Sequence, residues 1–404
     1  MKELFTLGKL NASDFIPIKE DVRKKYELKL MLEEETGAVR LNDCAPLNSM
    51  YGKYWYRSGI NQTMKDELKN VVESILKVHK LKENDIWLDI ACNDATLFDY
   101  VPKNIIKIGV DPCDDSYKKE SEKRANLIIQ DYFNYDNYSI SKFGKMKAKV
   151  ITVIAMFYDL DKPDKFLQDV YRVLDDDGLL VMQMSYTPLM LKQLAFDNIC
   201  HEHIYYYSLF NIKKILERNG FDVVDCTLND INGGSFRVFI KKKGHENDFY
   251  TQPYRDVANF RIQSLLEYEK TLKLDSEVTW KNFFIEIDCL KNIMINFIKQ
   301  EKAKGKIIWG YGASTKGNTT LQYFGLDNTL IDGIADRSTY KWGLKTSGTN
   351  IPIYSEEEMR QAKPDYLLIL PWHFINEFKE REKDYLICGG KFIVPCPRFD
   401  VVGY

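Results

Sequence analysis

His201, Glu202 and His203 stand together in CHEHIYYYSL, in a chain with only five histidines. As metal ligands, two imidazoles at i and i+2 need further donors, and none is suggested nearby. As acid/base groups they suit chemistry at neutral pH, where histidine titrates; a hydrogen-bonded structural pair is the plainer reading. A second group of residues is acidic. Asp89, Asp111 and Asp131 each close an apolar run, in LDI, GVD and IIQD, and Tyr132 and Phe133 follow the third. A carboxylate offers two oxygens to a vicinal diol such as a ribose, and an acid beside an aromatic can hold a heterocycle. Between the first two acids lies the turn ACNDATL, with Ala91, Asn93 and Asp94. A third group is the loop WGYGASTKGN, holding Gly310, Gly312, Ala313, Lys316, Gly317 and Asn318. Such a loop between a strand and a helix exposes N–H groups to a phosphate. A pyrophosphate, a dinucleotide and a purely structural turn all remain open.

The elements that must position these groups follow from periodicity. The spacing predicts a helix in MKDELKNVVESILKVHKL from about residue 64, then strands at 86–91, 105–111, 126–130 and 149–156. A helix KFLQDVYRVL, a DDDG turn and a strand at 179–185 come next. Alternating units of this kind predict a parallel, doubly wound sheet. A strand ending in Asp89, a tight turn and a helix from near Thr96 resemble the way class I methyltransferases hold S-adenosylmethionine. Glycines are usual in that turn; here Ala91 and Ala95 stand in their places, and a Cβ disfavours positive φ. After a hairpin at NGGSFRVFIKKKG and a charged helical stretch at 246–303, a second βαβ series opens at 305. The expected division is a small N-terminal lid over 1–68, an S-adenosylmethionine-binding domain over 69–245, and a second Rossmann-like domain over 246–404.

Composition narrows the possibilities. With 57 Lys+Arg against 59 Asp+Glu, a net charge of −2 excludes a wholesale polyanion binder, so no nucleic-acid partner is expected. No apolar run reaches the roughly 18 residues that span a bilayer, and MKELFTLGKL lacks a signal-peptide core. Eight scattered cysteines without a CxxC pair read as reduced thiols of a cytoplasmic enzyme. Oligomeric state is left open.

The blocks YWYRSGINQTM, LDIACNDATL, HEHIYYYSL, NGGSFRVF, GYGASTKGNTTLQYFGL, KWGLKTSGTNIPI and PWHFINEF occur in this order over nearly the whole chain. Together they resemble the sugar-nucleotide C-methyltransferases, such as the 3-C-methyltransferases of deoxysugar biosynthesis. The resemblance implies transfer of a methyl group from S-adenosylmethionine, with S-adenosylhomocysteine as product, to the carbon next to a ketone on a nucleotide-linked sugar. It implies a general base on the second histidine, His203, with Glu202 beside it and His201 as the next residue to consider. Tyr54 and Tyr56 would line the same cavity. Asn232, Gly233, Ser235 and Arg237, the GYGASTKGN residues and Lys341 would hold the nucleotide-sugar.

The departures are specific. That family's N-terminal domain binds zinc through cysteine pairs; the second pair's places fall in EEET, at Glu33 and Thr36, so no zinc is expected. Cys200 stands where a tyrosine is usual, and Asn232 where a histidine is usual. Alkylating carbon requires a neutral base near an acidic C–H and a donor near the developing oxyanion; Tyr54, Tyr56 or Asn232 could donate. The same base acting on a hydroxyl would give an O-methyltransferase. An inactive nucleotide-sugar-binding homologue, or a dehydrogenase using the second loop, would also fit these motifs.

Overall fold

The computed structural model describes residues 1–20, 24–34, 36–43, 55–245 and 251–404. The N-terminal strands are β1 (Lys2–Asn11), β2 (Phe15–Pro17), β3 (Lys25–Leu32) and β4 (Val39–Leu41); β3 and β4 alternate buried and less buried residues, as half-buried strands do. β1, β3 and β4 form an antiparallel sheet. It is completed by a strand from far along the chain, β10 (Tyr205–Tyr206), which directly follows the HEH segment.

The next sheet contains β5 (Ile86–Ile90), β6 (Ile106–Val110), β7 (Leu127–Ile129), β8 (Ala148–Ile154), β9 (Leu174–Ser185), β11 (Phe221–Asn229) and β12 (Ser235–Lys242). Their order is β7-β6-β5-β8-β9-β12-β11. Within the domain this reads third, second, first, fourth, fifth, seventh, sixth. Only the pairs made by β12 are antiparallel. Every residue of β5 is buried, as a central parallel strand covered on both faces requires. The helix Gln62–Val78 lays Met64, Leu68, Val71, Val72 and Ile75 on the domain. It is anchored there by Arg237 of β12, whose guanidinium donates to Glu67 (2.7 Å), Ser74, Asn70 and Gln183. The helix Tyr254–Leu272, although it follows residue 245, adds Ile262 to this core.

The last sheet contains β13 (Ile308–Tyr311), β14 (Gly333–Ala335), β16 (Ile353–Tyr354), β17 (Tyr366–Ile369), β18 (Lys391–Val394) and β19 (Asp400–Val402), in the order β16-β14-β13-β17-β18-β19. It is parallel except for β19, and its third-second-first-fourth-fifth-sixth order is that of a Rossmann sheet. The remaining strand, β15 (Leu344–Thr346), pairs with β2 and ties the N-terminal segment to this domain.

Two local expectations are corrected. No α-helix starts near Thr96; residues Thr96–Asp99 make a single 3₁₀ turn, with Pro102 close behind to bar a longer helix. DDDG is not a free turn between elements. It lies within β9, which slips register against β8 there so that Asp176 and Asp177 bulge outward.

Candidate functional site

In open α/β sheets, ligands bind beyond the carboxyl ends of the strands, where strand order reverses. Here both sheets present those ends to one cavity of about 360 Å³. Its walls come from the segments after β5, β6, β7 and β8, from the HEH segment, and from those after β13, β14 and β17, with Trp55 to Ser58 closing one side.

On the first sheet's side, Asp111 is buried, and each of its oxygens accepts one backbone N–H: Asn93 at 2.7 Å on Oδ2 and Cys113 at 2.9 Å on Oδ1. Each oxygen keeps an acceptor position, so the carboxylate still fits a ribose diol. Asp89 accepts from Thr152 at 2.6 Å, and burial pushes its pKa up to about 7. Asp131 and Tyr132 line the cavity from the solvent-exposed end of β7. The turn between β5 and the 3₁₀ helix keeps the left-handed geometry usual for glycine: φ is 59° at Ala91, 55° at Asn93 and 57° at Ala95. Three of its N–H groups, however, are spent internally. Ala91 and Cys92 donate to Val110, and Asn93 donates to Asp111. The Asn93 side chain holds the backbone of Tyr56 and Ser58. Asp94 does not line the cavity, because its oxygens accept from Gly59 and Thr96.

At the centre, Glu202 and His203 both line the cavity and are both 8% exposed. His203 Nδ1 lies 2.9 Å from the Asn198 carbonyl oxygen. A carbonyl can only accept, so Nδ1 carries the proton and Nε2 keeps its lone pair. Burial, and secondarily the Lys316 charge, hold the imidazole's pKa well below 6.5, which keeps it neutral. Burial also raises Glu202 to about 7. Tyr56 lines the cavity, and burial holds its phenol protonated. Tyr54 lies outside the described residues. His201 does not reach the cavity; it sits against the edge of the Tyr26 ring, with Nε2 3.5 Å from the Tyr26 carbonyl.

From the second sheet, Gly312, Ala313, Lys316 and Lys341 line the cavity, as does Asn232 from the loop before β12. Gly233, Ser235, Arg237, Gly310, Gly317 and Asn318 do not. Ser235 bonds Ile231, Arg237 is the helix anchor described above, and Asn318 donates to Asp14. The glycines answer to packing. A Cβ at Gly310 would meet Ile334 at 2.8 Å, and one at Gly317 would meet Leu370 at 2.9 Å. Gly312, at φ +82°, would meet Pro371 at 2.6 Å. The helix Thr315–Phe324 is capped by its own Ser314, which accepts from Gly317, and ends at left-handed Gly325.

Three cavity residues escaped sequence reasoning. Tyr158 packs its ring 4.3 Å from that of His203, and His373 and Arg57 join the wall. His373 and Arg57 lie inside the blocks PWHFINEF and YWYRSG, but nothing in their spacing singles them out. The zinc-ligand places hold a different device: Thr36 donates to Glu33 at 2.9 Å, and Arg40 lies 3.5 Å from Glu33 while donating to Tyr205. Among the described residues, no group of three or more His, Cys, Asp or Glu is placed to hold a metal.

The strand order and the acid at the end of β6 define a class I S-adenosylmethionine-dependent methyltransferase. Residues 60–225 match the family described as a methyltransferase domain, and residues 230–397 match the C-methyltransferase C-terminal domain. The chain is 26% identical over 356 residues to the C-methyltransferase NovU of Streptomyces niveus, covering 87% of this chain and 82% of that one. Similar solved structures include magnesium protoporphyrin IX methyltransferase from Synechocystis with bound SAH (13% identity, 46% of this chain and 89% of that chain, TM-score 0.36). Another is an S-adenosylmethionine-dependent methyltransferase from Clostridium acetobutylicum (14% identity, 45% and 92%, TM-score 0.34). Along the chain a methyltransferase domain is thus followed by a match to the C-methyltransferase C-terminal domain, and the span similar to NovU takes in most of both.

Proposed function

We propose that the protein methylates the carbon next to the ketone of a nucleotide-linked keto sugar. The observation that carries this reading is His203, a neutral imidazole whose Nδ1–H is committed to Asn198 and whose Nε2 is left as a base, in a cavity shared by two Rossmann ends. Asp111 would hold the ribose of S-adenosylmethionine, with Asp131 and Tyr132 beside the adenine and Asp89 closing the floor. When bound, the cofactor supplies an electrophilic methyl group.

The chain's own residues supply the rest. Gly312, Ala313, Lys341 and Asn232 would hold the nucleotide-sugar. His203 removes the proton α to the ketone, and Glu202, poised near neutrality, can hold or pass it on. Tyr56, kept protonated, is a neutral O–H donor.

In heavy water, a thymidine diphosphate-linked 4-keto-6-deoxyhexose should exchange its α hydrogen in the presence of the enzyme. His203→Ala should slow that exchange by at least ~10²-fold, the scale of losing a general base. Methylation of the sugar without any exchange would identify an O-methyltransferase instead.

A further inference from the structure

Five cations line the cavity: Arg57, Lys316, Arg337, Lys341 and Arg381. Three are neutralised. Arg337 lies 3.8 Å from Glu377, Lys341 lies 3.3 Å from Asp336, and Arg381 lies 3.1 Å from Glu356. Arg57 is stacked between the rings of Tyr117 and Tyr340 and donates to the Ser116 hydroxyl at 2.6 Å, beside the β6 end where the cofactor is expected. Lys316, like Arg57, has no carboxylate within ion-pair distance among the described residues, but it stands at the HEH end of the cavity, where its ammonium donates to Asn198 Oδ1 at 2.6 Å.

Asn198 is the residue that fixes the base. It is 2% exposed, and its amide nitrogen donates to the Ala195 carbonyl, which settles which end of the side chain is oxygen. Its backbone oxygen takes the His203 proton while its side-chain oxygen takes the Lys316 ammonium. One buried asparagine thus spans the base and the cation. Phe196, two residues before it, stacks on Phe324 of the lysine's helix with ring centroids 5.0 Å apart, which sets that helix over the base.

The other titratable groups that feel Lys316 are Glu202, Asp197, Cys200, His203 and His373. Burial biases both acids toward protonation and both imidazoles toward neutrality. An unneutralised ammonium here weakens His203 as a base. That cost is recovered only if negative charge develops within the ammonium's reach as the proton leaves. A phosphate fits the position less well. Ser314 already caps the Gly317 N–H that a phosphate at this helix start would use, and packing accounts for the loop's glycines.

We propose that Lys316 is a catalytic residue whose ammonium meets the substrate's ketone oxygen and stabilises the enolate. The proposal rests on the reading of the reaction given above. In the step, the α C–H bond breaks and the proton goes to His203 Nε2. The bonding pair forms a C=C bond while the carbonyl π pair moves onto oxygen, opposite Lys316. When the carbon accepts the methyl group, the C=C pair becomes the new C–C bond and the oxygen pair returns to restore C=O, while the methyl's former bonding pair would stay on the donor's sulfur, leaving S-adenosylhomocysteine.

The test compares Lys316→Met with wild type, using thymidine diphosphate alone and then the 4-keto-6-deoxyhexose nucleotide as probes. Lys316→Met should bind thymidine diphosphate within about threefold of wild type and slow α-hydrogen exchange in heavy water at least ~10²-fold. Lys316→Arg, which keeps a charge at the site, should exchange within about tenfold of wild type. Affinity for thymidine diphosphate that falls tenfold or more in Lys316→Met, with exchange at saturation unchanged, would make Lys316 a phosphate ligand and overturn the proposal. Equal loss in the arginine and methionine variants would overturn it too. A wild-type enzyme that binds the keto sugar but exchanges nothing defeats the enolate reading itself. Unimpaired exchange in Lys316→Met alone defeats only the role of the lysine.

Discussion

Asp89 shows what a single residue contributes and what it costs. It is 4% exposed at the end of β5, with the Thr152 hydroxyl donating to it, and burial lifts its pKa from 3.8 to about 7. An unfolded aspartate gives up its proton near pH 4. Between pH 4 and 7 the folded chain therefore holds a proton that the unfolded chain has released, so stability falls as pH rises through that window and stays lower above it. Asp89→Asn removes the dependence. Denaturant titrations of the ligand-free protein should find this variant more stable than wild type at pH 8, by about 4 kcal/mol, and close to it at pH 4. Equal differences at both pH values would show that Asp89 is ionised when folded. Much at this scale was legible. Two of only five histidines set close together drew attention to the HEH segment, the family resemblance singled out His203 and Glu202 within it, and strand-end acids pointed to Asp111; all three line the cavity. Tyr158, His373 and the carbonyl of Asn198 were not legible, because their roles come from contacts across more than one element rather than from spacing.

The turn after β5 is the informative element. Alanine at positions 91 and 95 suggested either a relaxed turn or reduced cofactor affinity, and the φ values of 59° and 57° show that the left-handed turn is kept. A Cβ in that region costs roughly 1–2 kcal/mol. Ala91→Gly relieves the strain but gains unfolded-state entropy worth about 0.4–1 kcal/mol. The net expectation is a melting temperature higher by about 1–2 °C, with the cavity unchanged. A lower melting temperature would mean that packing of the alanine methyl outweighs its backbone strain. β5, β6, β7 and β8 were read from sequence to within a residue or two, since buried parallel strands are nearly continuous apolar runs, whereas β9 starts five residues before the expected 179. The 3₁₀ turn at Thr96 was misread as a helix because the proline that ends it lies beyond the local pattern. The DDDG bulge was misread because a register slip inside a strand carries the same residues as a turn.

At the scale of the whole molecule, two largely parallel sheets of related order share one cavity, and segments far apart in the chain tie the parts together. β10 returns to the N-terminal sheet right after the HEH segment, β2 pairs with β15, and Lys316 of the second domain bonds Asn198 in the first. The two sheets were legible from alternating patterns. These ties were not, since short strands pairing across hundreds of residues leave no periodic trace. On the proposed reading both domains would serve the chemistry, one holding the methyl donor and the base and the other bringing the sugar and the cation. The most direct measurement is the carbon spectrum of the product formed from methyl-¹³C-labelled S-adenosylmethionine and a keto-sugar nucleotide. The account predicts that the labelled methyl is bonded to the carbon next to the ketone, and that the signal is lost in His203→Ala. A labelled methyl bonded to oxygen, or a carbon-bonded methyl that survives in His203→Ala, would contradict it.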